Sequence, residues 1–206
     1  TVKLIPAPEY RLGLMAVFQN LDQAALTISD IIKNKVIPAT LEIMDNTTIS
    51  TVENFSRVGL PVDAEAILLI EVDGIEEVVQ REFDTVKKVC QAHGVAELKI
   101  ATNEEEREVL WTARRNALPA LAQVKPTTIL EDATVPRSQI PAMIRRVREI
   151  GEKYHLLIGT FGHAGDGNLH PTILTDERDQ EEMARVEKAG DEIFEAALSL
   201  GGTLSG

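Results

Sequence analysis

The residue types best suited to chemistry gather in one stretch, Phe161-Gly162-His163-Ala164-Gly165-Asp166-Gly167-Asn168-Leu169-His170-Pro171, which holds two of the chain's four histidines. Asp-Gly is a strong signal for a two-residue hairpin, whose central positions both need φ > 0. A turn at Asp166-Gly167 sets Asn168 opposite Gly165, Leu169 opposite Ala164 and His170 opposite His163. Directly opposed residues on antiparallel strands share a face, with Cβ atoms about 4.5–5.5 Å apart. The two imidazoles are therefore expected to converge, with Asn168 on their face. On one straight strand, positions seven apart point to opposite faces.

Two converging imidazoles make His163 and His170 candidate ligands for a divalent ion such as zinc or manganese. They fall short of the three protein ligands of an ordinary catalytic zinc, and a hairpin with two hydrogen-bonded histidines fits the same spacing. A phosphate-cradling loop fits less well. Such loops open into a helix, whereas Leu169–Leu174 reads as a strand.

Arg114 is the second candidate. It lies three residues from Trp111, on the same face of an expected helix, where a guanidinium beside an aromatic can present its fork to a carboxylate. A surface arginine covering Trp111 fits as well. Glu131-Asp132 ends a strand-like run; Asp132 could support the histidines or a cofactor, and Glu131 reads as a solvated strand end. Glu104-Glu105-Glu106 is a favourable helix start. Cys90, the only cysteine, reads as a small buried apolar residue and precludes a disulfide within the chain. His93 reads as a last-turn cation.

Gly162–Pro171 resembles the signature of the C-terminal domain of FAD-linked oxidases, a family with glycolate oxidase and D-lactate and D-2-hydroxyglutarate dehydrogenase members. Tyr10–Leu12, Pro38–Asp45 and Asp63–Gly74 resemble the glycolate oxidase branch, in the family's order. The resemblance implies a cap domain of ferredoxin-like halves. It implies FAD as cofactor, a divalent metal on His163 and His170, and Arg114 on the substrate carboxylate, with Asn168 and Asp132 near the cofactor. It further implies that the run Gly201–Gly206 continues into Glu-His-Gly, supplying a third metal ligand and a catalytic histidine beyond Gly206. A flavin domain would precede residue 1, so the chain is expected to be an excised piece, inactive alone and without bound FAD. Leu130 stands near the position where members taking dicarboxylates carry a lysine, which implies a small monocarboxylic 2-hydroxy acid as substrate. Other oxidase subunits, including an iron–sulfur subunit, are the implied partners. A cytoplasmic enzyme, peripheral to the inner membrane when complete, is the expected setting. The rival reading is a non-catalytic ferredoxin-like module that binds a small ligand or metal.

The 206 residues suffice for one domain with a real core, and 44% apolar content marks a globular chain. With 33 acidic and 21 basic residues the net charge is −12, which lacks the basic face that nucleic acid requires. The elements that must position the candidates alternate. Strands are expected at Leu12–Phe18, Ala39–Met44, Ala64–Val72, Glu97–Ala101, Thr127–Ala133 and Leu156–Phe161. Helices are expected at Asp22–Lys33, Asn46–Val58, Ile75–His93, Asn103–Leu118 (ended or kinked by Pro119), Gln139–Tyr154 and Asp179–Leu200. This pattern predicts an α+β fold of duplicated ferredoxin-like α/β sandwich units, antiparallel sheets with helices on one face, in halves 1–102 and 103–206. The loop Pro126–Thr128 is the expected internal boundary.

Overall fold

The computed structural model describes residues 7–204. Among the described residues nine strands form one sheet in the order β4-β1-β3-β2-β7-β8-β6-β9, with β5 also on β8, and every pairing is antiparallel. The strands are β1 (Tyr10–Phe18), β2 (Thr40–Asp45), β3 (Ala66–Gly74), β4 (Glu97–Ala101), β5 (Thr127–Leu130), β6 (Ala133–Thr134), β7 (Leu157–His163), β8 (Asn168–Thr175) and β9 (Thr203–Leu204). The helices are α1 (Leu21–Lys33), α2 (Asn46–Ser56), α3 (Glu76–Ala92), α4 (Glu104–Arg115), α5 (Ala117–Leu121), α6 (Ile140–Tyr154) and α7 (Gln180–Ser199).

The β-α-β-β-α-β order of the first unit, β1-α1-β2-β3-α3-β4, recurs as β5/β6-α6-β7-β8-α7-β9. The two meet edge to edge where β2 pairs with β7. α1, α3, α6 and α7 cover one face, as expected of antiparallel α+β units, over a core containing Phe18, Ile43, Leu68 and Ile173. The other face is covered too, by α2, α4 and α5 over Met15, Met44, Leu69 and Phe161. The reason is legible in β3, whose Ala66–Val72 run is buried on both sides and so cannot leave either face to water.

Thr127 and Thr128 lie inside β5, so the expected boundary loop is a strand start. The connection between the units is made instead by α4 and α5, with Pro119 inside α5 rather than ending a longer helix. Asn103 accepts from the Glu106 amide at 2.9 Å, while Glu106 reaches back to the Thr102 amide at 2.7 Å, a capping box displaced by one residue. Cys90 is buried, and burial pushes its thiol up to about 12. His93 Nε2 stands 2.8 Å from Asp30 on α1, tying α3 to its neighbour. Among the described residues no helix is long and apolar enough to cross a membrane. Ser205 and Gly206 of the terminal glycine run, like the expected flavin domain and third ligand, lie outside the described residues.

Candidate functional site

The histidine hairpin forms, with a different register. His163 pairs with Asn168, Gly162 with Leu169 and Phe161 with His170, so Ala164–Gly167 is a four-residue loop. The expected two-residue turn fails because it needs positive φ at Asp166 as well; only Gly167 has it, at 79°. The Asp166 amide instead donates to the His163 carbonyl at 3.0 Å. The loop is pinned on both sides, by the Gly165 amide on the Leu41 carbonyl (3.1 Å) and the Val135 amide on the Gly167 carbonyl (2.9 Å). A register displaced by two residues keeps side-chain parity. His163, Asn168 and His170 therefore still share a face, and the two rings stand 5.3 Å apart, edge to face.

Strand pairing brings the other residues onto that face. β5 and β6 share one register on β8, interrupted at Glu131-Asp132. Pro171 lies at the break: its carbonyl accepts from the Glu131 amide at 2.8 Å, but it has no N–H to return. The shared register sets Asp132 against His170, and their Oδ1 and Nδ1 atoms are 3.2 Å apart. Glu131 points the opposite way, where burial raises its carboxyl above its ordinary value, so only Asp132 of the pair faces the histidines. Thr134 Oγ1 donates to Asn168 Oδ1 at 3.1 Å.

Sequence reasoning missed the residue that joins the site. Glu42 is buried, at 5% exposure, in the middle of β2 directly opposite His163. Its Oε1 lies 2.6 Å from His163 Nδ1, and its Oε2 accepts from Arg114 Nε at 2.7 Å. An acidic residue inside an apolar strand, Leu41-Glu42-Ile43-Met44, was the available signal. Arg114 does reach the site from α4, but the ring beneath its guanidinium is that of Phe161, 4.7 Å away. Trp111 instead donates from Nε1 to Glu71 at 3.0 Å, and Glu71 also accepts from Arg107 at 2.9 Å. Arg107, Trp111 and Arg114, at helical spacing, thus dock α4 on two sheet carboxylates, since Ala113 is the only buried residue of that helix.

Burial lowers the proton affinity of His170, which outweighs the opposing pull of Asp132 and leaves the ring neutral at neutral pH. His163, its Nδ1 hydrogen-bonded to the Glu42 carboxylate, has Nε2 left for a ligand, in the carboxylate–histidine arrangement that supports metal-bound imidazoles; His170 Nδ1 lies 3.2 Å from Asp132 without a hydrogen bond to it. The donor set stops at two: among the described residues no group of three His, Cys, Asp or Glu side chains gathers to hold a metal ion. A hollow of about 300 Å³ lined by Asp45, Arg148, Glu152, His155 and Thr160 lies on the opposite face of the sheet, away from this cluster.

Residues 7–206 match the family described as FAD linked oxidases, C-terminal domain. Glycolate oxidase subunit GlcD of Bacillus subtilis is 52% identical over 205 residues, an alignment covering 100% of this chain and 44% of that protein. The subunit of the same name from Escherichia coli is 40% identical over 206 residues, covering 100% and 41%. A D-lactate dehydrogenase of Anaerostipes hadrus is 28% identical over 218 residues, covering 100% and 45%. The chain thus spans less than half the length of these relatives. Its fold is that of part of p-cresol methylhydroxylase solved with substrate bound, at a TM-score of 0.70 and 13% identity over 97% of this chain and 45% of that one. Matched along all but its first six residues, and sharing its fold with a domain-sized part of a larger enzyme, the chain belongs to the family of FAD linked oxidases, C-terminal domain.

Proposed function

We propose that this chain is the substrate domain of an FAD-dependent enzyme that oxidises a small monocarboxylic 2-hydroxy acid, of the glycolate or D-lactate kind, to the 2-oxo acid. The observation that carries the reading is the convergence of Arg114, His163 and His170 on one sheet face through Glu42. Glu42 occupies Nε of Arg114, which leaves the two terminal nitrogens to take a carboxylate in bidentate fashion. Phe161 under the guanidinium and Glu42 beside it restrict the orientation of that fork. Such a clamp sets the α-carbon next to the imidazole pair. His170, kept neutral by burial, can accept a hydrogen bond or coordinate an ion there.

A divalent ion such as zinc or manganese is proposed on His163 and His170, completed by a donor outside the described residues. When bound, that ion supplies Lewis-acid polarisation of the substrate hydroxyl and FAD supplies the hydride acceptor. Asn168 and Asp132 are proposed on the cofactor side, with Asp132 also bracing His170. The relatives named as oxidase subunits favour an enzyme over a non-catalytic binding module and suggest partner subunits, an iron–sulfur protein among them. The test uses the complete flavoenzyme that carries this chain, with a dye as electron acceptor. Arg114→Met removes a charge-assisted bidentate contact of about 1.5–3 kcal/mol, so kcat/KM for the hydroxy acid should fall about 10–150-fold. Turnover of neither acid by the parent enzyme, or an unchanged kcat/KM in the variant, refutes the reading.

A further inference from the structure

We propose that Glu42 is a positioning residue that sets the tautomer of His163, holding the proton on Nδ1 so that Nε2 carries the lone pair offered to a ligand. The inference rests on the reading of His163 and Arg114 as site residues, and its chemistry follows from what each partner can do. Arg114 Nε–H can only donate, and it donates to Glu42 Oε2 at 2.7 Å. A carboxylate beside a permanent cation accepts at both oxygens. Across the 2.6 Å contact between Oε1 and His163 Nδ1, the proton therefore belongs to Nδ1. In a neutral imidazole the other nitrogen is then the acceptor. Burial of Glu42 at 5% exposure removes competing water, and the strand pairing of Glu42 with His163 fixes the geometry from the backbone. Asp132 Oδ1 lies 3.2 Å from His170 Nδ1, but the two make no hydrogen bond of the kind that joins Glu42 to His163.

A single amide substitution makes this sharp. In Glu42→Gln the side chain keeps its shape but has one acceptor and one donor end. Arg114 can use only the acceptor, so the amide nitrogen must face His163 Nδ1. A donor facing Nδ1 demands a lone pair there, and the ring proton moves to Nε2, where it blocks coordination. Adding Arg114→Met frees the amide to turn its oxygen back toward His163, which should restore the original tautomer. A purely structural role for Glu42 predicts no such reversal.

The experiment is ring ¹⁵N NMR of histidine-labelled protein at a pH where His163 is neutral, on the wild type, Glu42→Gln, Arg114→Met and the double variant, each also titrated with zinc ion alone. The expected wild-type signature is protonated Nδ1 and bare Nε2 for His163. It should invert in Glu42→Gln, stay unchanged in Arg114→Met and return in the double variant. Zinc affinity should fall by at least tenfold in Glu42→Gln, the range typical of losing a carboxylate behind a metal-bound imidazole. A wild-type ring protonated on Nε2, or a Glu42→Gln ring still protonated on Nδ1, overturns the proposal. The first of these needs no variant to fold. Zinc binding that ignores His163→Ala and His170→Ala would sink the metal reading by itself, because the tautomer measurement does not depend on it.

Discussion

Replacing Glu71 by alanine should loosen α4, and the size of the effect follows from what Glu71 holds. Its Oε2 accepts from Arg107 Nη1 at 2.9 Å and from Trp111 Nε1 at 3.0 Å, at a side chain only 8% exposed. Removing one partner of a buried pair leaves the other desolvated and unpaired. The contact with the charged guanidinium is worth about 1.5–3 kcal/mol and that with the indole about 0.5–1.5 kcal/mol, so about 2–4.5 kcal/mol is at stake. Arg107 keeps its second partner, Glu104, which places the expected loss toward the lower end, about 2–3 kcal/mol. The apolar packing of α4 is thin, with Ala113 buried and Leu110 and Trp111 only partly buried against the core. Trp111 is the chain's single tryptophan, so its fluorescence reports this contact directly. Urea unfolding followed at the indole should show a lower midpoint and native emission shifted to longer wavelength. A Glu71→Ala, Arg107→Ala double-mutant cycle should then give a coupling energy above about 1 kcal/mol. A variant with wild-type midpoint and emission would refute the argument that carboxylates rather than apolar packing dock this helix.

Two further outcomes are expected from backbone and charge. Gly167→Ala puts a Cβ where the Val135 carbonyl oxygen stands, 2.0 Å away, at a residue with φ of 79°. It should cost about 2 kcal/mol or more in thermal unfolding and disperse the His163 and His170 NMR signals, and a variant as stable as wild type would rule out the pinned loop. Burial pushes the Asp45 carboxyl up to about 6 from 3.8, so the folded state binds this proton more tightly than the unfolded chain. The stability from this group is therefore fully present below pH 4 and is lost as pH rises through about 6, amounting to about 3 kcal/mol at 1.36 kcal/mol per unit. Urea midpoints of wild type and Asp45→Asn compared at pH 4.5 and 7.5 should show the variant's pH dependence shifted in favour of high pH by about 2 kcal/mol, the part of that stability titrated within this window; parallel slopes would contradict it.

Much of the site was already implied by the amino-acid order. A chain that reverses between His163 and His170 through an even number of loop residues puts both rings on one face, because side chains alternate strictly along each strand. Two or four residues in the turn give the same parity, so the convergence survived an error in register. Which loop forms was decided elsewhere, by Leu41 and Val135 capturing the backbone of Gly165 and Gly167. Most strands and helices were likewise legible from periodicity, though Thr127–Ala133 divides into β5 and β6 and the short β9 was not anticipated; the second helical layer was not legible, since whether a strand such as Ala66–Val72 is covered on both sides depends on what packs there. Glu42 shows the limit most plainly. Its place in an apolar strand was visible, but its partners lie 72 and 121 positions away. Only the β2–β7 seam between the two units, and the last turn of a helix packed against β1 and β4, could bring a buried carboxylate, a guanidinium and an imidazole together, because no local pattern encodes which edges of two sheets will pair.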